Sequence, residues 1–139
     1  MRIDNVPTPA YIVQEDRLIK NLEILKYVRE QAGCKILLAQ KCFSMFYEYP
    51  LIGQYIDGCT ASGLYEARLG FEEMKKENHV FSPAYRDFEF DEIVDYCDHI
   101  IFNSIAQLKK YSPRCKGKSY GLRVNPECST QGDHAIYDP

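Results

Sequence analysis

Lys35-Ile-Leu-Leu-Ala-Gln-Lys41 is a short apolar run that ends on a lysine, and it has the length of a β-strand. Four comparable runs follow at intervals of about 20 residues, at 58–61, 79–82, 99–103 and 119–125. An earlier run, Ala10-Tyr-Ile-Val13, is a further candidate strand. Because amphipathic stretches separate these runs, the pattern predicts βαβ units and a parallel sheet.

The first amphipathic stretch, 17–31, has the apolar periodicity of an α-helix. Asp16 is the expected N-cap, and Gly33 is the expected left-handed residue after the last turn. The apolar face of this helix should contain Leu18, Leu22, Leu25 and Val28.

Further helices are predicted over 87–97, 44–55 and 62–74, and after Ser104. Ser104 and Gln107 have the spacing of a capping box. In the 87–97 helix, the residues that repeat at helical spacing are Phe90, Ile93, Val94 and Cys97.

Five regular strands leave two α/β architectures open. A doubly wound open sheet can be complete with five strands. An eight-stranded (β/α) barrel usually takes at least about 200 residues, and this chain has 139. The strand count therefore does not separate an open sheet from part of a barrel.

The composition suits one modest core, since 45% of the residues are hydrophobic. A net charge of −3 argues against a nucleic-acid partner, which would need a clustered basic face. No apolar run is long enough to span a bilayer, and the N-terminus lacks an apolar signal core. We therefore expect a cytoplasmic protein with no membrane partner.

The six cysteines are expected to be free and mostly buried, because there is no secretion signal and the chain can build a core without disulfides. None has C-x-x-C spacing, so no metal site is expected. They are Cys34, Cys42, Cys59, Cys97, Cys115 and Cys128.

Lys41 stands at the C-terminal end of the first apolar strand, where the active sites of parallel α/β folds gather. Partial desolvation there would disfavour the ammonium form and expose a nucleophilic amine. On position alone, a lysine that simply reaches solvent is the simpler interpretation.

Arg123 lies in the last strand and shares a face with Gly121 and Asn125, because side chains alternate along a strand. The opposite face, with Leu122 and Val124, should meet the helices. Arg123 would then point into a barrel or toward a site. Its position leaves a ligand-binding role and a structural ion pair open.

The three histidines, His79, His99 and His134, lie in unrelated contexts and are expected to have structural roles. His79 and His99 each open a strand, and neither has a carboxylate or cysteine at ligand spacing. The small, polar stretch 57–62 could let a ligand approach or form a tight turn.

Several strings resemble, in order, the carboxynorspermidine/carboxyspermidine decarboxylases, which are related to alanine-racemase-like barrels and to diaminopimelate and ornithine decarboxylases. They are VPTPAY at 6–11, KILLAQKCFSMF at 35–46, DGCTASGLYEARLG at 57–70, FSPAYR at 81–86, YCDHIIFNS at 96–104 and GLRVNPE at 121–127. Two residues depart from the family pattern: Gln40, and Cys42 in place of a small residue such as alanine.

The resemblance implies an α/β fold, a partial (β/α)8 barrel of the alanine-racemase-like type that binds pyridoxal 5'-phosphate. Residues 1–139 would be its N-terminal part, with about five βα units and without the C-terminal β-domain. Lys41 would be the catalytic lysine that holds the cofactor, and Arg123 would lie close to it. The substrate would be a carboxylated polyamine, decarboxylated to norspermidine or spermidine, and the full-length form would be a homodimer.

The family's glycine-rich phosphate loop, the acidic partner of the pyridine nitrogen and the β-domain residues have no counterpart in these 139 residues. Two hypotheses follow: part of a polyamine decarboxylase, or a non-catalytic truncated fragment. A different decarboxylase or racemase of the same barrel class is a third. The isolated chain is expected to be inactive, and the gene sequence beyond Pro139 would separate the first two.

Overall fold

The computed structural model describes residues 5–128, which form one parallel five-stranded sheet with helices between the strands. The strands are β1 (Leu37–Ala39), β2 (Gly58–Ala61), β3 (Glu77–Phe81), β4 (His99–Phe102) and β5 (Ser119–Leu122). Each strand pairs in parallel with the next one along the chain. The five predicted strands are therefore confirmed, whereas 10–13 is not a strand.

The consecutive strand order β1-β2-β3-β4-β5 settles the choice between the two architectures. A doubly wound sheet reverses its strand order at a switch point, and no reversal occurs among the described strands. Consecutive parallel strands joined by helices are the repeating unit of a (β/α) barrel. The described residues thus form part of a barrel.

The helices fill the connections between the strands. They are α1 (Glu15–Ala32), α2 (Tyr49–Ile52), α3 (Leu64–Leu69), α4 (Asp87–Tyr96) and α5 (Ile105–Tyr111). One 3₁₀ turn, Phe46–Glu48, precedes α2, and another, Ser112–Arg114, follows α5. In the part of the chain that the structure describes, no helix is both long and apolar enough to cross a bilayer.

The predicted helix ends are partly confirmed. Gly33 ends α1 with φ 62°, in the left-handed region that favours glycine. Ser104 caps α5 by accepting a hydrogen bond from the Gln107 backbone. The prediction for Asp16 is wrong: Gln14 is the N-cap of α1, and Asp16 lies in the first turn, where its charge complements the helix dipole.

The apolar face predicted for α1 is only partly covered. Leu22 is buried, and Leu18 packs against the same cluster. Leu25 and Val28 are 39% and 46% exposed. The periodicity identified the helix correctly, but no described element covers the second half of that face.

The helix predicted over 62–74 changes its winding at Gly70. The α-helical turns of α3 end at Leu69, and Gly70–Met74 forms a π-helical turn. Gly70 packs so closely on β2 that a Cβ there would lie 2.5 Å from Cys59 Sγ. This close approach explains why glycine stands at that position.

Two apolar clusters lie between the sheet and the helices. One joins the helix-facing side chains of β3 and β4 to α4 and α5, and its largest members are Tyr85, Phe90, Phe102 and Tyr111. The other joins α1 and α2 to β2, and contains Leu22, Tyr49, Ile52, Ile56, Cys59 and Met74.

The six cysteines are free, as predicted, but only half of them are buried. The buried thiols are Cys59, Cys97 and Cys115. Burial raises the pKa of both Cys59 and Cys97 to about 12, so these two thiols are protonated core side chains.

The face of the sheet that turns away from these clusters carries a second set of side chains. The paired positions Ala39, Thr60, His79, His99 and Ser119 form one row across it. The next row toward the C-terminal strand ends contains Phe81, Ile101 and Gly121. In a barrel this face lines the interior.

Candidate functional site

Lys41 stands two residues after the end of β1 and is exposed. Gln40 still bonds to the neighbouring strand, since its N–H donates to Thr60 O at 3.3 Å. Beyond it the chain turns, and the N–H groups of Cys42 and Phe43 both donate to Ala39 O, at 3.1 and 3.4 Å. The expected partial desolvation of Lys41 is therefore wrong for the described residues, because the side chain starts from a turn above the sheet.

Lys41 also lines a cavity of about 150 Å³ at the C-terminal ends of β1, β2 and β3. The other lining residues are Ala39, Gln40, Thr60, Ala61, Ser62 and Phe81. Hydroxyl groups and one aromatic ring thus surround the space beside the lysine. The volume is below the range of about 300–1,000 Å³ that is typical of complete small-molecule sites.

Arg123 continues the β5 ladder, with its N–H donating to Phe102 O at 2.9 Å. Its side chain is exposed, and the guanidinium carbon lies 5.2 Å from the centre of the Phe81 ring, within cation–π range. No carboxylate among residues 5–128 lies within salt-bridge distance of it. The structural ion pair is therefore wrong for this part of the chain, and Arg123 lies on the same side of the sheet as Phe81.

The faces predicted for the last strand agree with this placement. A Cβ on Gly121 would lie 3.3 Å from the Ile101 side chain, on the face that turns away from the helices. Tyr120, on the opposite face, has its ring centre 6.2 Å from that of Phe102 in the helix-covered cluster. Leu122 is only partly covered there, at 37% exposed.

His79 and His99 lie side by side in the row below Phe81, with ring centres 4.9 Å apart. Glu77 Oε1 is 2.7 Å from His79 Nε2, and Ser119 Oγ is 2.7 Å from His99 Nδ1. His79 thus has a carboxylate partner two residues earlier on β3, which the expectation of no carboxylate at ligand spacing did not include. Residues two apart on a strand share a face, which places Glu77 beside it. His134 lies outside the described residues.

The pKa values of Glu77 and His99 both depart from their ordinary values. Hydrogen bonds from Lys35 and from His79 lower the pKa of Glu77 below its ordinary value. Burial, and next the neighbouring His79, lower the pKa of His99. The two histidines are therefore held by the Glu77 carboxylate on one side and by the Ser119 hydroxyl on the other.

The stretch 57–62 is not a tight turn, because Gly58–Ala61 forms β2 and a polar residue stands at each end of it. Asp57, before β2, accepts hydrogen bonds from Ile36 N–H at 3.0 Å and from Arg29 Nη1 at 3.3 Å. Ser62, after β2, donates its N–H to the Glu66 carboxylate at 2.6 Å. Asp57 thus stabilises the N-terminal end of the sheet, and Ser62 shapes the cavity beside Lys41.

A larger hollow of about 610 Å³ lies at the other end of the strands. Lys76, Asp98 and Lys118, which stand immediately before β3, β4 and β5, are among its lining residues. Active sites of barrels form at the C-terminal strand ends. The smaller cavity beside Lys41 is therefore the better candidate, despite its size.

The sequence analysis did not identify Gln40 and Tyr49 as contributors to this site. Gln40 is fully buried and bonds to the hydroxyl of Tyr49, which is also buried. The sequence did contain a signal for Gln40, because an amide inside an apolar run must find hydrogen-bond partners when it is buried. The sequence does not reveal which residues those partners are.

No protein-family model matches the chain. Among curated proteins it is similar to carboxynorspermidine/carboxyspermidine decarboxylases. It is 44% identical to that of Herminiimonas arsenicoxydans over 124 residues, 89% of this chain and 34% of the relative. It is 43% identical to that of Campylobacter jejuni over 139 residues, 100% of this chain and 36% of the relative. A carboxyaminopropylagmatine decarboxylase of Synechocystis is 37% identical, over 99% of this chain and 36% of the relative.

A solved structure agrees with these relatives. It is the crystal structure of carboxynorspermidine decarboxylase from Campylobacter jejuni in complex with norspermidine, with a TM-score of 0.87 and 45% identity. The match covers 91% of this chain and 35% of that chain. The chain thus spans about a third of the length of the relatives it matches, and the resemblance identified from the sequence is confirmed over that length.

Proposed function

We propose that this chain supplies the N-terminal part of the barrel domain of a pyridoxal-phosphate-dependent decarboxylase that acts on a carboxylated polyamine. Lys41 is the residue that would hold the cofactor. The observation that carries the proposal is an exposed lysine amine beside a cavity at the C-terminal strand ends. It lies in a segment that is 43% identical to a named decarboxylase over 139 residues.

The residues around the cavity fit part of pyridoxal phosphate. The cofactor has an aldehyde, an aromatic ring and a phosphate dianion, and these call for an amine, an apolar surface and a positive charge. Lys41 offers the amine, Phe81 an aromatic ring and Arg123 a guanidinium over that ring. The small volume of the cavity fits a partial site.

When bound, pyridoxal phosphate takes up the electron pair that is left when carbon dioxide departs. The described residues would have narrower tasks. The Lys41 amine attaches the group, and the Arg123 charge attracts anionic atoms of the cofactor or substrate. The hydroxyl groups of Thr60 and Ser62, which line the cavity, can bond to polar atoms placed there.

A chimera tests the proposal, because the chain aligns over its full length with the Campylobacter jejuni relative. Residues 1–139 replace the matching segment of that enzyme, and carbon dioxide release is measured. The substrates compared are carboxynorspermidine, carboxyspermidine and carboxyaminopropylagmatine. We expect turnover of at least one of them, lost in Lys41→Arg, which keeps the positive charge but removes the primary amine that would attach the cofactor.

Two results would contradict the proposal. One is a folded chimera without turnover on any of the three substrates. The other is turnover that persists in Lys41→Arg. Lys109→Arg is the matched control, since Lys109 is exposed on α5 and does not line the cavity.

A further inference from the structure

The amide of Gln40 is buried among apolar residues, with 1% of its surface exposed. Among residues 5–128, Gln40 and Asn78 are the only buried side chains that are polar or charged. A buried amide without partners costs several kcal/mol, about 2–7 depending on the reference state. Gln40 must therefore be held by specific hydrogen bonds.

Gln40 has partners on two helices. Its Nε2 donates to Glu66 O in α3 at 2.9 Å, and its Oε1 accepts from the Tyr49 hydroxyl of α2 at 3.3 Å. The same hydroxyl is 3.4 Å from Phe43 O. Burial raises the pKa of Tyr49 to about 12, so its oxygen keeps the proton that it donates.

These contacts bracket Lys41 in the chain. Gln40, immediately before the lysine, is held by the hydrogen bonds of its side chain. Phe43, two residues after the lysine, has its carbonyl oxygen within reach of the same Tyr49 hydroxyl. Glu66 extends the connection, because its carboxylate accepts from Ser62 N–H on the other side of the cavity. One network thus sets both walls of the cavity that Lys41 lines.

An apolar side chain of similar size would fill this space without needing any partner. Buried polar groups that are fully satisfied add geometric specificity at little gain in stability. We propose that Gln40, supported by Tyr49, is a positioning residue that holds Lys41 at the C-terminal end of β1. The functional meaning of this role rests on the proposed function, in which Lys41 holds the cofactor.

Paired substitutions test the role. Gln40→Met with Tyr49→Phe replaces the network by apolar groups of similar shape, and Tyr49→Phe alone serves if the pair does not fold. Asn78→Leu is the matched control: it removes the other buried amide, which donates to Ala67 O and Tyr96 O, away from the lysine. Comparing the variants separates loss of the Gln40 network from general loss of stability.

Hydrogen exchange of the Cys42 and Phe43 amides is the first readout, corrected for the global stability of each variant. Both N–H groups bond to Ala39 O, and so report on the turn that carries Lys41. We expect about tenfold faster exchange in the pair and about threefold in Tyr49→Phe, the size of one hydrogen bond or less. Unchanged corrected exchange in both, or an equal rise in Asn78→Leu, would overturn the positioning role.

The second readout is reaction with pyridoxal phosphate followed by borohydride reduction, measured as modification of Lys41 relative to exposed Lys109. The ratio should fall about tenfold in the pair and stay unchanged in Asn78→Leu. A wild-type ratio near one would count against the proposed function. The positioning role would still be decided, because hydrogen exchange needs no cofactor.

Discussion

The guanidinium carbon of Arg123 lies 5.2 Å from the ring centre of Phe81, and Phe81 lines the same cavity as Lys41. Phe81 thus lies beneath the guanidinium and also faces the cavity that Lys41 lines. An aromatic ring thus connects the cavity beside Lys41 to the Arg123 guanidinium. An anionic ring compound is the class of ligand that such an arrangement suits.

Arg123→Gln in the chimera should weaken pyridoxal phosphate binding, because the substitution removes the charge over Phe81 and keeps a polar side chain. We expect a loss of about 1–2 kcal/mol, or a Kd raised roughly five- to thirtyfold. Arg68→Gln is the control, since Arg68 pairs with Glu72 at 2.9 Å on an exposed helix surface. Equal Kd values for Arg123→Gln and the control would remove Arg123 from the site.

Phe90→Ala should lower the free energy of unfolding by about 3–5 kcal/mol, as is usual when a large aromatic side chain leaves a cavity in a core. Phe90 is 0% exposed and packs against Tyr111, with ring centres 4.3 Å apart. Phe88, two residues earlier in α4, is 80% exposed. Phe88→Ala should change stability by no more than about 0.5 kcal/mol in urea unfolding. Similar losses for both would contradict the packing described for α4.

Acidification should destabilise the protein through His99. Burial and the neighbouring His79 lower the pKa of His99 from its ordinary value of 6.5. The folded state therefore binds this proton less readily than the unfolded chain does. The free energy of unfolding is therefore not reduced by His99 above pH 6.5. It falls as the pH drops below 6.5 toward the lower pKa of His99 in the folded state.

The measurement is the urea midpoint across this pH range, in wild type and in His99→Asn. The variant cannot titrate there and should have a flatter profile. Glu77 acts in a separate, more acidic window, because its pKa is lowered from 4.5. A profile equally steep in His99→Asn would show that another group is responsible.

The sequence predicted the sheet well because its strands are local apolar runs at regular spacing. Strand order needed the structure, since five evenly spaced strands fit two architectures. Lys41 and Arg123 could be selected from strand position and the family resemblance. The Glu77–His79 contact could have been found from two-residue alternation. The partners of Gln40 could not, because Tyr49 and Glu66 reach it from other elements.

The 139-residue chain by itself should release no carbon dioxide from carboxynorspermidine in the presence of pyridoxal phosphate. The cavity of about 150 Å³ in the described residues is too small to enclose cofactor and substrate together. The amine of Lys41 and the nearby guanidinium of Arg123 are the charged groups that it offers a ligand. The comparison is with Lys41→Ala under the same conditions. Turnover that is clear in wild type and absent in Lys41→Ala would show that these residues suffice.

The most direct test of the central claim is to locate the cofactor-bearing lysine in the chimera. The protein is loaded with pyridoxal phosphate, reduced with borohydride and digested, and the modified peptide is identified by mass spectrometry. Our account predicts a single major modification on Lys41, absent in Lys41→Arg and retained in Lys109→Arg. An active chimera that carries the modification on any other lysine would contradict it.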